Sequence, residues 1–91
     1  MALNNTFQAL ADPNRRRILE ILKKGDKSVT EIMESFDMTM PSLSHHLSIL
    51  KNADLVTTQR QGQQIIYSLN LSVFEEIAQE LYDFFNHKKR R

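Results

Sequence analysis

The chain of 91 residues predicts a mainly α domain with a β-hairpin: about five helices and a two-stranded hairpin, ordered as four helices, the hairpin and a last helix. Three observations predict it. Apolar residues recur at helical spacing along most of the chain, and helix-capping residues stand just ahead of those runs. Between residues 55 and 69 the pattern changes to segments rich in β-branched residues, flanking Gln61 and Gly62. With two Gly and two Pro acting as punctuation, and no repeat or linker between them, residues 1–91 read as one domain.

The elements follow in order. A short helix starts after Asn4 or Asn5 and puts Phe7, Leu10 and Ala11 on one face. Asp12 is suited to cap a second helix, with Pro13 at its first position, where a missing N–H costs nothing. That helix runs to about Lys24 on a stripe of Ile18, Leu19 and Leu22, and Gly25 fits the left-handed conformation that closes a helix. Ser28 and Glu31 have capping-box spacing, so a third, short helix carries Ile32, Met33 and Phe36. After a tight turn at Asp37 and Met38, Thr39 caps a fourth helix that reaches about Ala53. The hairpin pairs residues 55–60 with 63–69, and Asn70 or Ser72 caps a final helix to about His87, followed by Lys88, Lys89, Arg90 and Arg91.

Composition removes several classes of function. Twelve Lys and Arg against eleven Asp and Glu leave a net charge of +1, too little for a general nucleic-acid coat. No cysteine is present, which excludes a disulfide framework, a zinc ribbon and thiolate chemistry. No apolar run approaches the roughly 18 residues of a membrane span, and the first ten residues lack the basic start and apolar stretch of a signal peptide. A cytoplasmic protein without membrane insertion is expected.

The fourth helix carries the functional signal. At about 100° per residue, Leu43, Leu47 and Leu50 fall in a narrow arc flanked by His46 and Ala53. Opposite lie Pro41, Ser44, His45, Ser48 and Asn52, with Ser42 near the edge. An ordinary solvated face mixes in Glu and Lys, yet no carboxylate occurs between Asp37 and Asp54. A surface that approaches phosphates and reads base edges needs that absence of negative charge. The short helix, tight turn and polar-faced helix form a helix-turn-helix, whose second helix enters the major groove by its N-terminal residues. The hairpin directly after it makes a winged helix. Its tip, Arg60, Gln61, Gly62 and Gln63, offers a cation and amide donors to a phosphate or the minor groove.

The last helix predicts a second copy of the chain. Val73, Phe74, Ile77, Ala78, Leu81, Tyr82, Phe84 and Phe85 span about 180° of its circumference, where packing on one core needs roughly 100°. Antiparallel packing against the same helix of a partner, with Leu3, Phe7 and Leu10 alongside, covers the surplus. Twofold symmetry then sets two recognition helices roughly 34 Å apart, one turn of DNA. The other reading is that the arc wraps the intrachain core.

Three segments in this order, ALADPNRRRILEILKKG, PSLSHHLSILKNADLV and RQGQQIIYSL, resemble the ArsR family of winged-helix bacterial repressors. The resemblance covers nearly the whole chain, and the cysteine-free sequence is most similar to small, metal-independent autorepressors of the Sdp repressor kind. It implies a homodimeric repressor on a pseudo-palindromic operator. It also implies major-groove positions at Met40, Pro41, Ser42, Ser44 and His45, with Arg60 at the wing. Ser48, Gln61 and Gln63 complete the expected DNA-binding set. Met40 stands where many members carry a polar residue, and Gln63 where they carry a second basic one. His46, beside the leucine stripe, is expected to be structural, and the roles of Arg15, Arg16 and Arg17 stay open.

Many ArsR-like repressors are released by metal. The thiolate type has no cysteine to use here. The C-terminal pattern Asp-x-His-x10-His-x2-Glu or His, aligned on His87, falls on Phe74, Glu76 and Arg90. Glu76, Glu80, Asp83 and His87 share a helical ridge that reads as a solvated acidic face, so neither a metal nor a cofactor is expected. No enzyme is expected either: His45 and His46 point about 100° apart, and no phosphate loop, nucleophile elbow or paired-carboxylate site occurs. Two alternatives stand beside the repressor. One is a winged-helix protein-interaction module with little DNA binding, suggested by the low net charge. The other is a repressor answering to a divalent metal through Glu80, Asp83 and His87. A sequestering protein is a further expected kind of partner.

Overall fold

The computed structural model describes residues 3–89, with the side chains of residue 3 and residues 87–89 outside the described set. The elements are α1 (Leu3–Leu10), α2 (Pro13–Lys23), β1 (Lys27–Ser28), α3 (Val29–Met33), α4 (Met40–Asn52), β2 (Val56–Gln61), β3 (Gln64–Leu69) and α5 (Leu71–Lys89).

Local chemistry explains the helix starts. The Asp12 carboxylate accepts from the backbone N–H of Asn14 at 2.7 Å and of Arg15 at 3.3 Å, satisfying donors that the first turn of α2 leaves open. Desolvation pushes this carboxyl up, but those two N–H groups, with the Arg15 charge beside them, outweigh it and hold the group below its ordinary value. At α3 the capping box is complete. Ser28 Oγ accepts from the Glu31 N–H at 3.2 Å, and Glu31 Oε1 accepts from the Ser28 N–H at 2.8 Å. The bond from the Ser28 N–H chiefly, and the Ser28 hydroxyl with it, lowers the Glu31 carboxyl.

Three local expectations are corrected. Gly25 does close α2, through N–H bonds of Lys24 and Gly25 to Ile21 and Leu22. Its φ of +148°, however, lies outside the left-handed helical well, in a region open to a residue without Cβ. The hairpin turn sits one residue later than expected: Gln61 pairs with Gln64, so Gly62 and Gln63 are the two central residues. Gly62 has φ +63° at the first of them, as a type II′ hairpin turn requires. The sheet also has three strands rather than two, in the order β1-β3-β2, all antiparallel. Its third member pairs Lys27 with Tyr67 and Ser28 with Ile66. The added strand fastens the root of the wing to the start of α3.

The core joins α2, α3, α4 and the wing: Ile18, Leu19 and Leu22, Ile32, Leu43, Leu47 and Leu50, then Leu55 and Val56. From α1 the buried residues are Thr6 and Ala9; of Phe7, Leu10 and Ala11, expected together on one face, Phe7 and Ala11 are exposed and Leu10 is half-buried. Small side chains let α1 lie close, and the large one faces away. Among the described side chains of α5 only Ile77 is buried, at 8% exposure, with Val73 and Phe74 half-buried beside it. The arc therefore does not wrap the intrachain core. At about 1.5 Å per residue the 19 residues of α5 outrun a body whose shorter extents are 24 and 21 Å, and the long axis reaches 53 Å.

The link from α4 to the wing is a Schellman motif: the Leu55 N–H bonds the Leu50 carbonyl, and the Asp54 N–H bonds that of Lys51. Asp54 takes φ +61°, the left-handed conformation such a closure needs. Asn70 braces it, its backbone N–H on the Leu55 carbonyl and its side-chain nitrogen on that of Asp54, both at 3.0 Å. Asn70 does precede α5 as expected, and its carbonyl accepts from Val73 and Phe74.

Candidate nucleic-acid interface

The leucine stripe of α4 is fully sunk in the core, which turns the opposite face out. Met40, Pro41, Ser42, Ser44, His45, Ser48 and Asn52 are all exposed, as the sequence predicted. They run from the helix N-terminus along one side, with Lys51 beside them near the C-terminus. The face holds no negative side chain, and its N-terminal end carries the positive pole of the helix dipole. One expected reader has a structural bond as well. Thr39 Oγ1 accepts from the Ser42 N–H at 3.3 Å and donates to Ser42 Oγ at 3.1 Å, so Ser42 is tied to the helix cap.

The wing residues do not share a face. Cross-strand pairing of Val56 with Leu69, Thr58 with Tyr67 and Arg60 with Ile65 puts Arg60 on the side that turns inward at the wing root. Gln61 points to the other side and Gln63 lies in the turn. Arg60 folds back, its Nε donating to the Gly62 carbonyl at 3.3 Å, so the guanidinium sits at the tip with its remaining donors open to solvent.

The three consecutive arginines, which sequence reasoning left open, have definite partners. Arg15 Nε donates to the Ala9 carbonyl at 2.8 Å and Nη2 to that of Gln8 at 3.1 Å. Arg16 Nη1 donates to the Leu10 carbonyl at 2.7 Å. Both cations thus satisfy the last turn of α1, where the dipole favours positive charge. Arg17 lies over the Phe36 ring, 5.3 Å from its centroid. Arg15 Nη1 also meets His46 Nδ1 at 3.2 Å, which makes His46 the half-buried structural histidine expected. Partners that are backbone carbonyls leave no trace in sequence, so nothing in the residue pattern pointed to them.

On α5 the apolar arc is bare beyond Ile77. Tyr82, Phe84 and Phe85 are 63%, 61% and 60% exposed, Leu81 and Ala78 are exposed too, and Phe7 of α1 is 52% exposed. Of the residues expected at a dimer surface, Ile77 belongs instead to the core, and Leu10 and Phe74 are half covered within the subunit. The expectations for the Leu3 and His87 side chains and for the basic tail at residues 88–91 lie outside the described residues or their described side chains. Among the described residues no cluster of three metal-ligating side chains forms, and Asp83 accepts a bond from Gln79 at 2.9 Å. No described helix is long and apolar enough to cross a membrane.

A helix-turn-helix with an acid-free outer face and a wing defines a DNA-binding regulator. Residues 12–58 match the model of the family described as bacterial regulatory protein, arsR family, and the chain belongs to that family. It is 45% identical, over 92% of its length and 93% of the relative's, to the transcriptional repressor SdpR of Bacillus subtilis (strain 168). Among solved structures it is similar to the crystal structure of an ArsR family transcriptional regulator, with TM-score 0.89, 32% identity and 98% of both chains covered. It is also similar to the solution structure of a homodimeric winged helix-turn-helix DNA-binding domain from Mycobacterium bovis, with TM-score 0.71 and 25% identity, covering 90% of this chain and 82% of that one. The family is one of transcriptional regulators, not of enzymes, and neither the interaction module nor the metal-responsive reading gains support from these relatives.

Proposed function

We propose that this ArsR-type transcriptional repressor works as a homodimer on a pseudo-palindromic operator, each subunit placing the N-terminal half of α4 in a major groove. The observation that carries this reading is the continuous exposed face of α4 with no carboxylate on it. Ser44, His45 and Ser48 are the base readers; Met40 and Pro41 supply apolar contact, and Ser42 works from the helix cap. Arg60, Gln61 and Gln63 approach a phosphate or the adjacent minor groove, with Arg60 exchanging its bond to the Gly62 carbonyl for one to DNA.

The dimer forms through the terminal helices of one 91-residue domain. Phe7, Leu81, Tyr82, Phe84 and Phe85 meet their symmetry mates, with Leu3, Ala78, Leu10 and Phe74 around them. Covering the exposed part of each phenylalanine, somewhat over half of its surface, is worth about 1–2 kcal/mol. The reading places the protein in the cytoplasm, on the nucleoid when bound, acting on its own promoter and released by a sequestering protein. A mobility shift on the gene's own promoter fragment tests it: saturable binding that survives nonspecific competitor is expected, and binding that competitor abolishes counts against it.

A further inference from the structure

The Arg15 guanidinium is hydrogen-bonded both to the last turn of α1 and to the recognition helix. Two of its nitrogens hold the Ala9 and Gln8 carbonyls at 2.8 and 3.1 Å, and the third meets His46 Nδ1 at 3.2 Å. The backbone of Arg15 is itself fixed, because its N–H is bound by the Asp12 cap. A guanidinium has donors and no acceptor, so the His46 contact requires Nδ1 to accept and the ring proton to sit on Nε2. On α4 His46 follows His45, on the exposed face, and lies beside the leucine stripe. On α1 the carbonyls held by Arg15 follow directly on Phe7, which points away from the subunit.

The leucine stripe fixes how α4 sits on its own subunit. Its packing against α1 is lighter, because the buried side chains that α1 offers are the small Thr6 and Ala9. We infer that Arg15 and His46 are a positioning pair that sets the angle of α4 against α1, and thereby the mutual orientation of the two recognition helices in the dimer. The inference rests on the dimeric reading above. Its consequence is specific: breaking the pair leaves one subunit able to read a half-site but loosens the spacing of two subunits on a full site. Neither residue touches DNA.

The test uses the full chain and a duplex selected by the wild-type protein from a random-sequence pool, compared with each half of that duplex. Fluorescence anisotropy gives the affinities and sedimentation gives the dimer constant. For His46→Phe the full-site affinity is expected to fall ~10-fold while half-site affinity and dimer constant stay within about twofold, the range of an ordinary site-to-site coupling. His46→Asn, whose side-chain oxygen can accept from Arg15 near the position of Nδ1, is expected to recover most of the loss. Arg15→Gln combined with His46→Phe should be no worse than Arg15→Gln alone, since Arg15→Gln already removes the contact that His46→Phe breaks. Equal losses on half-site and full site, or no rescue by His46→Asn, overturn the pair. A wild-type protein that selects no duplex, or binds full and half sites alike, overturns the dimeric operator reading instead.

Discussion

Two outward faces of this small chain make opposite demands on water. Beyond Met40 and Pro41 at its N-terminal end, the outer side of α4 carries short hydroxyls, imidazole and amide, all content to be hydrated. The outer end of α5 carries Leu81, Tyr82, Phe84 and Phe85, whose rings at 84 and 85 touch edge to face, 5.4 Å between centroids, with water on the other side. The first face is specific without being sticky; the second is sticky before it is specific. In the proposed dimer their division of labour accounts for DNA binding by a chain of net charge +1: the apolar face would pair two subunits, and the pair would supply two weakly charged contacts where one would not suffice.

The comparison breaks most visibly at α5. Leu81→Glu places a charge in the arc of each subunit, so the mutation is doubled by symmetry. Sedimentation should show monomers, and operator affinity should drop by ~100-fold or more from the lost burial and the buried charges. A variant that remains dimeric would move the interface elsewhere. A smaller effect is expected on α4. His45→Ala should cost ~1–3 kcal/mol of operator affinity and relax base preference, leaving the sedimentation profile unchanged. Uniform weakening across all sequences would make His45 a phosphate contact.

Arg60→Ala should weaken binding modestly and reduce the slope of log affinity against log salt by about one per subunit. An unaltered slope would take the wing tip out of the ion count. The smallest effect concerns neither face. Asp12 and Glu31 have folded-state values lowered by the N–H groups they cap, so each contributes stability that is present above its unfolded value. That contribution is lost as pH falls through the lowered values, so the melting temperature should be flat near neutrality and fall on the acid side. Asp12→Asn, which keeps a capping oxygen without the charge, should soften that fall; an acid limb identical to wild type would detach Asp12 from it.

Local chemistry was legible in the chain and pairing at a distance was not. The Asp12 and Pro13 start, the Ser28 and Glu31 box and the stripe of Leu43, Leu47 and Leu50 each declare themselves within a few residues. β1 is two residues long and exists because Tyr67 and Ile66 lie beside it, so it has no period of its own to read. Thr6 and Ala9 form the inner side of α1 because closeness, not hydrophobicity, selected them. The exposed face of α4 was readable because it is defined by an absence over one continuous stretch. The Arg15 bonds were not, since carbonyls belong to every residue alike.

The central claim, two acid-free helices held one turn apart by an apolar dimer, is most directly tested by a hydroxyl-radical footprint on the gene's own promoter fragment. The account predicts two protected patches of equal strength, related by a twofold axis and centred roughly 34 Å apart. A single patch, or weak protection spread along the fragment, would contradict it.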